Sequence, residues 1–359
     1  MSERKPGQQA RDPGFASASS VARRVSLALQ GGGAHGAFTW GVLDRLLEDE
    51  RIVIEAISGT SAGAMNAAAL AAGYAAGGRE GARRALDRFW ISTSEYAIFS
   101  PIQRTLIERL LGRWNLDRSP GYLWFTLLGR MYSPYQTNPV DHHPLREILS
   151  RQIDIDAVRA CEALRIFVTA TNVRTGRARV FDRDDISLDA LLASACLPHL
   201  YQAVQIDGEP YWDGGYMGNP AIWPLIYRGT TADVVLVQIN PVVREGIPRT
   251  SLEIDNRMNE IAFNSSLMHE MRAIAFVQRL LEEGALTEPF AARYKNIRIH
   301  AIGDQETMKA LGVASKSNAE RAFLEHLKAA GRACADHWLE ATIGDIGVRS
   351  SVDVRNTFL

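Results

Sequence analysis

Residues 51–63 read RIVIEAISGTSAG, and this stretch decides the class of fold. The β-branched run at residues 51–58 predicts a strand, and the Ala-rich run that follows the motif predicts a helix as far as Ala76. Between them, GTSAG at residues 59–63 matches G-x-S-x-G, in which a serine on a tight strand-to-helix turn exposes its hydroxyl at the helix N-terminus. The stretch favours an α/β protein with Ser61 as the candidate nucleophile of an acyl hydrolase.

A second strand–turn–helix unit precedes the first. VSLALQ at residues 25–30 predicts a buried strand, GGGAHG follows at residues 31–36, and residues 37–49 carry apolar side chains at helical spacing. Consecutive glycines can bring backbone N–H groups close to a reacting carbonyl, because no Cβ stands in the way. The glycine run is therefore a candidate oxyanion hole.

The rest of the chain continues the alternation of strands and helices. Together with the two units above, it favours one α/β domain with a mainly parallel sheet that helices cover on both faces. Further strands are predicted at residues 165–170, 180–181, 234–239 and 297–302, and amphipathic helices at residues 254–283 and 318–340.

The predicted organisation has three parts and one insertion. Residues 1–24 form a disordered polar tail, residues 25–240 a catalytic core, and residues 241–359 a C-terminal part that packs on the same domain. A helical insertion is predicted at residues 89–140, where ten of the chain's 29 aromatic residues fall. Aromatic side chains suit an apolar core of the insertion's own, an acyl pocket or a peripheral contact with a lipid surface.

Composition excludes several classes of function. The 40 basic and 41 acidic residues leave no overall positive charge for binding nucleic acid. The three cysteines are far apart and contain no C-x-x-C, so neither a disulfide framework nor a zinc site is indicated. No apolar leader is apparent, and the uncharged stretch at residues 56–78 is too rich in small residues to favour a membrane span. A cytoplasmic location is expected.

The glycine run also supports a rival hypothesis. Gly31, Gly33 and Gly36 satisfy G-x-G-x-x-G, the dinucleotide-binding fingerprint, and Glu55 lies where a ribose-binding acid is sought. The strand that carries Glu55 runs directly into the Ser61 turn, which a dinucleotide site does not need. A dinucleotide-binding protein remains the alternative.

The nucleophile needs a base, and the sequence offers no convincing histidine. Seven histidines follow Ser61, and none lies in a distinctive local setting. Asp213 is the other candidate, because YWDGG at residues 211–215 follows a hairpin-like stretch with a turn at Asp207-Gly208. An aspartate before two glycines can lie on an exposed loop, although such a turn is also ordinary in structural loops.

The three motifs in this order resemble the patatin-like phospholipase family, and ASACLP at residues 193–198 adds to the resemblance. The resemblance implies a three-layer α/β/α sandwich that hydrolyses lipid or fatty-acyl esters without a metal or cofactor. By position, Ser61 would be the nucleophile, Asp213 the general base of a Ser-Asp dyad, and Gly31, Gly32 and Gly33 the oxyanion hole. The glycines that would support these motifs are Gly36, Gly59, Gly63, Gly214 and Gly215.

Two positions depart from the family's pattern. Gln30 stands where the family often has Asp, and His35 stands where an Arg or Lys is common. His35 is a candidate substrate contact, and its partial charge at neutral pH would affect head-group preference. The scaffold also resembles acyl-carrier transacylases, so an acyl transferase is a further alternative.

Overall fold

The computed structural model describes residues 22–98 and 100–359, so most of the predicted tail, and Phe99, lie outside the described residues. An eight-stranded mixed sheet forms the centre of the described chain. Its strands are β1 Arg23–Leu29, β2 Ile52–Thr60, β3 Arg165–Asn172, β4 Ala178–Asp182, β5 Val204–Ile206, β6 Glu209–Asp213, β7 Asp233–Val237 and β8 Arg298–Ile302.

The sheet is mostly parallel, as predicted. Its order is β5-β6-β3-β2-β1-β7-β8, with β4 paired to β3. Strands β3, β2, β1, β7 and β8 run parallel, and β4, β5 and β6 are antiparallel to their neighbours. Leu29 of β1 lies opposite Gly59 of β2 and Val237 of β7. The glycine run and the Ser61 turn therefore leave the sheet at the same edge.

Helices lie on both faces of the sheet. The described helices are α1 Gly36–Glu48, α2 Ala62–Ala97, α3 Leu106–Leu110, α4 Pro120–Met131, α5 Pro134–Thr137, α6 Pro144–Gln152, α7 Ile155–Ala160, α8 Leu188–Ser194, α9 Trp223–Arg228, α10 Ser251–Glu282, α11 Glu288–Ala291, α12 Gln305–Lys309, α13 Arg321–Thr342 and α14 Val354–Phe358.

The alternation of side chains along β1 separates two apolar cores. Leu27 and Leu29 pack with α1, α2, α6, α8 and α13 in the larger core. Ala28 points to the opposite face and packs with α9, α10 and α14 in the smaller core. Because successive strand residues point to opposite faces, the last five residues of β1, which are all buried, show that the strand is covered on both sides. The three-layer α/β/α sandwich is confirmed.

The helix predicted as far as Ala76 is confirmed, and a further helical stretch that was not predicted extends α2 to Ala97. The helical path breaks only at Gly77 and Gly78, where Gly78 has φ 60°, and then resumes. The resumed part carries Trp90 into the larger core, where it stacks on Trp40 with ring centroids 6.3 Å apart. The aromatic segment therefore reaches the surface only after α2.

Two glycines allow α1 and α13 to pack closely. A Cβ on Gly41 would collide with the carbonyl of Lys328, and one on Gly331 would collide with the carbonyl of Phe38. Helix α1 begins at the end of the glycine run, and α13 begins four residues after Ser317. No helix among residues 22–98 and 100–359 is both long and apolar enough to cross a bilayer.

Candidate active site

Ser61 occupies the sharp turn between β2 and α2. Its backbone lies at φ 52° and ψ −122°, a conformation that residues other than glycine rarely adopt and that costs about 1–3 kcal/mol. The flanking glycines are needed because a Cβ on Gly59 would collide with the backbone of Gly63, and one on Gly63 with the carbonyl of Leu29. The Ser61 N–H donates to Ser194 Oγ at 2.9 Å. This geometry is that of a nucleophile elbow.

Asp213 is the last residue of β6, and its side chain meets Ser61. The carboxylate accepts a hydrogen bond from the N–H of Gly215 at 2.7 Å, and the Ser61 side chain lies close enough to lower its pKa. Gly214 is needed at the next position because a Cβ there would collide with the carbonyl of Thr169. The fold thus brings the predicted nucleophile and the predicted base close together.

The surroundings of Asp213 change its acidity. Asp213 is only 1% exposed, and burial raises the pKa of its carboxyl to about 7. The hydrogen bond from Gly215, the nearby Ser61 side chain and the positive charge of Lys316 act in the opposite direction and lower this pKa. A carboxyl group whose pKa lies near 7 can exchange a proton with a neighbouring hydroxyl at neutral pH.

The glycine loop, residues 31–36, lies directly against the elbow. A Cβ on Gly31 would stand 2.7 Å from the Cβ of Ser61, so no larger residue fits there. The N–H of Gly31 donates to Asn219 Oδ1 at 2.6 Å and is therefore occupied. The N–H groups of Gly32 and Gly33 donate to no acceptor within the part of the chain that the structure describes. Two of the three predicted oxyanion donors remain available.

Polar side chains that the sequence analysis missed hold the glycine loop in place. The Gln30 side-chain oxygen accepts hydrogen bonds from the N–H groups of Ile239 and Asn240, each at 2.9 Å. Asn240 Nδ2 in turn donates to the carbonyl of Gly31 at 2.8 Å. Asn240 directly follows the strand predicted at residues 234–239, so its place beyond the carboxyl end of a parallel strand was a usable signal.

Comparison with known proteins adds the family. A family model described as patatin-like phospholipase matches residues 27–226, which is more than half of the chain. The chain belongs to the patatin-like phospholipase family. Its enzyme class is accordingly that of a lipid acyl hydrolase, and the match includes both Ser61 and Asp213. No curated protein sequence matches the chain significantly.

Solved structures of two bacterial proteins overlay on this member of the family. VipD from Legionella pneumophila is 17% identical, with a TM-score of 0.36 over 86% of this chain and 68% of VipD. A chain of the complex of SpcU with ExoU, from the type III secretion system of Pseudomonas aeruginosa, is 20% identical, with a TM-score of 0.30 over 69% of this chain and 51% of that chain. The chain thus spans about two thirds of one relative and half of the other.

The side chain of His35 is buried, and its ring carries no charge at neutral pH. It is 3% exposed, and its Nε2 lies 2.7 Å from Ser315 Oγ. Burial lowers the pKa of His35 to about 3, with a further contribution from the charge of Lys316, so the ring is neutral at pH 7. The side chain connects the glycine loop to the C-terminal part of the chain.

The histidines that follow Ser61 do not supply a base. Within the described residues, none is hydrogen-bonded to Ser61 or Asp213. His300 has a carboxylate partner, because its Nε2 lies 3.0 Å from Asp233 Oδ1. Asp233 is at the amino end of β7, whereas the elbow lies at the carboxyl end of β2, so this pair stands at the opposite edge of the sheet.

Glu55, the acid of the dinucleotide hypothesis, lies far from the glycine loop. It sits within β2 and accepts hydrogen bonds from the backbone of Thr230 and Thr231, each at 2.7 Å. Six residues of extended strand separate it from Ser61, which is about 20 Å. Its carboxylate therefore cannot bind a ribose held at the glycine loop. Among the described residues, no group of three or more His, Cys, Asp or Glu side chains could hold a metal ion.

Proposed function

We propose that this chain hydrolyses lipid acyl esters with Ser61 as nucleophile and Asp213 as its general base. The observation that carries the proposal is the position of Ser61, on a strained nucleophile elbow with its side chain beside the buried carboxylate of Asp213. Burial keeps the pKa of Asp213 near 7, where a carboxylate is basic enough to take a proton from an attacking hydroxyl.

The reaction divides into acylation and deacylation. Ser61 Oγ attacks the ester carbonyl while its proton passes to Asp213, and the tetrahedral intermediate then expels the alcohol, which takes that proton. Water next attacks the acyl-serine and gives its proton to Asp213. The second intermediate collapses, Ser61 recovers the proton, and the fatty acid leaves.

The negative oxygen of each tetrahedral intermediate needs hydrogen-bond donors. The N–H groups of Gly32 and Gly33 are the donors we propose, because that of Gly31 already binds Asn219. The N-terminus of α2, which begins at Ala62, adds a favourable dipole beside the reacting oxygen. One donor of this kind contributes about 10²–10³ to the rate.

A fluorophosphonate probe tests the proposal, because it labels only an activated serine. We expect the wild-type chain to be labelled and to release fatty acid from phospholipid vesicles. Ser61→Ala should abolish both, and Asp213→Asn should lower both by about 10²–10⁴. Exposed Asp156, which is 96% exposed at its side chain, provides the matched control as Asp156→Asn.

Four results would contradict the proposal. Labelling of the Ser61→Ala chain would place the nucleophile elsewhere. A near-normal rate in Asp213→Asn would indicate that a histidine, and not Asp213, is the general base. Transfer of the acyl group to an added alcohol in preference to water would indicate an acyl transferase. Saturable binding of a dinucleotide would indicate a dinucleotide-binding protein.

We further propose that the chain meets its substrate at a lipid surface through the cap, residues 106–140. No residue of α4 is buried, and large apolar side chains of the cap face outward. Leu110 is 86% exposed, Trp124 62% and Met131 64%. Large apolar side chains that are exposed together on one segment indicate an interaction surface, and the side chains of Trp and Tyr favour the boundary between lipid and water.

Charge and position favour a membrane as the partner of the cap. The cap carries four arginines against two acidic residues. Arg109 and Arg130 pair with Glu320 and Asp255 outside the cap, and exposed Arg113 and Arg118 are the charges that complement anionic head groups. The cap is also connected to the site. The side chain of Gln202 donates a hydrogen bond to the carbonyl of Asn138 in the cap at 2.9 Å, and from Gln202 the chain continues through β5 and β6 to Asp213.

A further inference from the structure

The C-terminal part of the chain covers the glycine loop. Its 3₁₀ helix Val313–Ser317 follows α12 and precedes α13. A Cβ on Gly33 would collide with the carbonyl of Lys316, and the side chain of Ser315 lies 2.7 Å from His35 Nε2. Val313–Ser317 lies outside residues 27–226, which the family model matches, whereas Gly33 and His35 lie inside them.

The ammonium group of Lys316 is held by neutral partners. Its Nζ donates to Asn240 Oδ1 and Asn259 Oδ1, each at 2.9 Å. Asn240 is the residue that also donates to the carbonyl of Gly31. The two amides carry no charge and do not neutralise the ammonium. Burial lowers the pKa of Lys316 to about 8, so its positive charge is present at pH 7 and below. Lys316 is thereby fixed to the same side chain that holds the glycine loop.

Lys316 and the turn that carries Asp213 contact the same aromatic ring. Lys316 Nζ lies 5.2 Å from the centroid of Phe263, within the range of a cation–π contact. The edge of that ring is against the catalytic turn, because a Cβ on Gly215 would stand 2.7 Å from Phe263 Cδ1. Gly215 is the residue whose N–H binds the Asp213 carboxylate. The buried ammonium of Lys316 and the Asp213 carboxylate thus lie at either end of one short chain of contacts.

We propose that Lys316 is a positioning residue of the active site, whose fixed positive charge favours the ionised, proton-accepting form of Asp213. The inference rests on the proposed role of Asp213 as general base. It assigns to the C-terminal part of the chain a function in the reaction. Since the His35 ring is neutral, the glycine loop itself supplies no such charge.

The neighbouring charges leave no substitute for Lys316. Glu260 also faces the ammonium, and it is bound by Arg244 at 2.6 Å and Arg257 at 3.2 Å. Those two arginines are engaged by Glu260 and are not free to approach Asp213. Two further titratable groups lie near Asp213, the thiol of Cys196 and the phenol of Tyr216. Both are uncharged at neutral pH, because burial raises the pKa of each to about 12.

The sign of the effect follows from the two protonation states. A nearby cation lowers the pKa of Asp213, so its removal raises that pKa. General-base catalysis needs the carboxylate, and activity is lost as pH falls through the pKa. Removing the cation should therefore move the acid limb of the profile of kcat/KM against pH to higher pH.

The test compares pH profiles of Lys316→Met, Lys316→Arg and wild type on a soluble p-nitrophenyl ester. We expect Lys316→Met to move the acid limb upward by about one unit, which is a tenfold loss of rate on that limb, and Lys316→Arg to restore it. Lys309→Met is the control, because the ammonium of Lys309 pairs with the exposed carboxylate of Glu306.

Two outcomes would overturn the inference. One is a folded Lys316→Met chain whose acid limb coincides with that of wild type. If that chain does not fold, Lys316→Gln is measured, since an amide can still bind Asn240, and an unmoved limb there overturns the inference as well. A normal rate in Asp213→Asn would overturn the dyad instead, so the two failures can be told apart.

Discussion

Gly33 shows how a single residue supports two demands of the site. Its backbone has φ 57°, in the left-handed region that favours glycine, and the carbonyl of Lys316 occupies the space a Cβ would need. Its N–H is also one of the two donors that the proposed oxyanion hole needs. Any side chain at this position would therefore strain the backbone and displace a donor together.

We expect Gly33→Ala to lower kcat/KM by about 10²–10³, the contribution of one oxyanion donor. Steady-state hydrolysis of a p-nitrophenyl ester measures this. Gly176→Ala is the matched control, because Gly176 also has a left-handed backbone, with φ 64°, but open space around it. That variant should lose about 1–2 kcal/mol of stability and keep its activity. Equal activity in both variants would show that Gly33 donates nothing to the reaction.

Sequence patterns located the residues that chemistry requires at fixed spacing. Ser61 was predicted because its motif lies between a strand and a helix, and the fold confirms that local structure. Asn219 and Lys316 were not predicted, because they reach the glycine loop only through tertiary contacts. No local pattern distinguishes such a residue from a surface lysine or a loop asparagine.

At the scale of elements, the sequence analysis predicted the first part of α2 but not its continuation. The helical path breaks at Gly77 and Gly78 and resumes because residues 81–90 have an apolar core to pack against. Tertiary packing, which no local pattern reports, thus sets the full length of α2. The predicted hairpin did form, since Asp207 and Gly208 both adopt the left-handed backbone that its two-residue turn requires.

Helix α4 provides the test of the proposed lipid surface. We expect Trp124→Ser with Leu127→Ser to lose binding to vesicles of phosphatidylcholine and phosphatidylserine, because the apolar anchor is gone. Co-sedimentation measures binding, and hydrolysis of a soluble p-nitrophenyl ester should stay unchanged. Phe276→Ser is the control, since Phe276 is 61% exposed on α10 and lies outside the cap. Equal loss of binding in both chains would contradict the assignment of the cap.

At the scale of the whole molecule, the site costs stability that depends on pH. Burial raises the pKa of Asp213 to about 7 in the folded chain, against about 3.9 in an unfolded one. Between these values, unfolding releases a proton, so this carboxyl makes the free energy of unfolding fall as pH rises from about 4 to about 7. Above about pH 7 the ionisation of this carboxyl lowers the free energy of unfolding no further.

Asp213→Asn should therefore raise the midpoint of thermal unfolding at pH 8 and change it little at pH 4, where the wild-type carboxyl is already neutral. Differential scanning calorimetry at the two pH values measures this. Asp156→Asn, on the exposed surface of α7, should show no such dependence on pH. A shift of equal size at both pH values would mean that folding does not raise the pKa of the Asp213 carboxyl.

The contact between Gly33 and Lys316 has a consequence for biosynthesis. The ribosome adds Lys316 to the chain long after Gly33, and α1 and α13 can pack together only after Gly331 has also emerged. A nascent chain that ends between Asp213 and Lys316 would already hold both dyad residues, while its glycine loop lacked the partner that covers it. Full hydrolytic activity would then arise only late in translation, after Lys316 has been added to the chain.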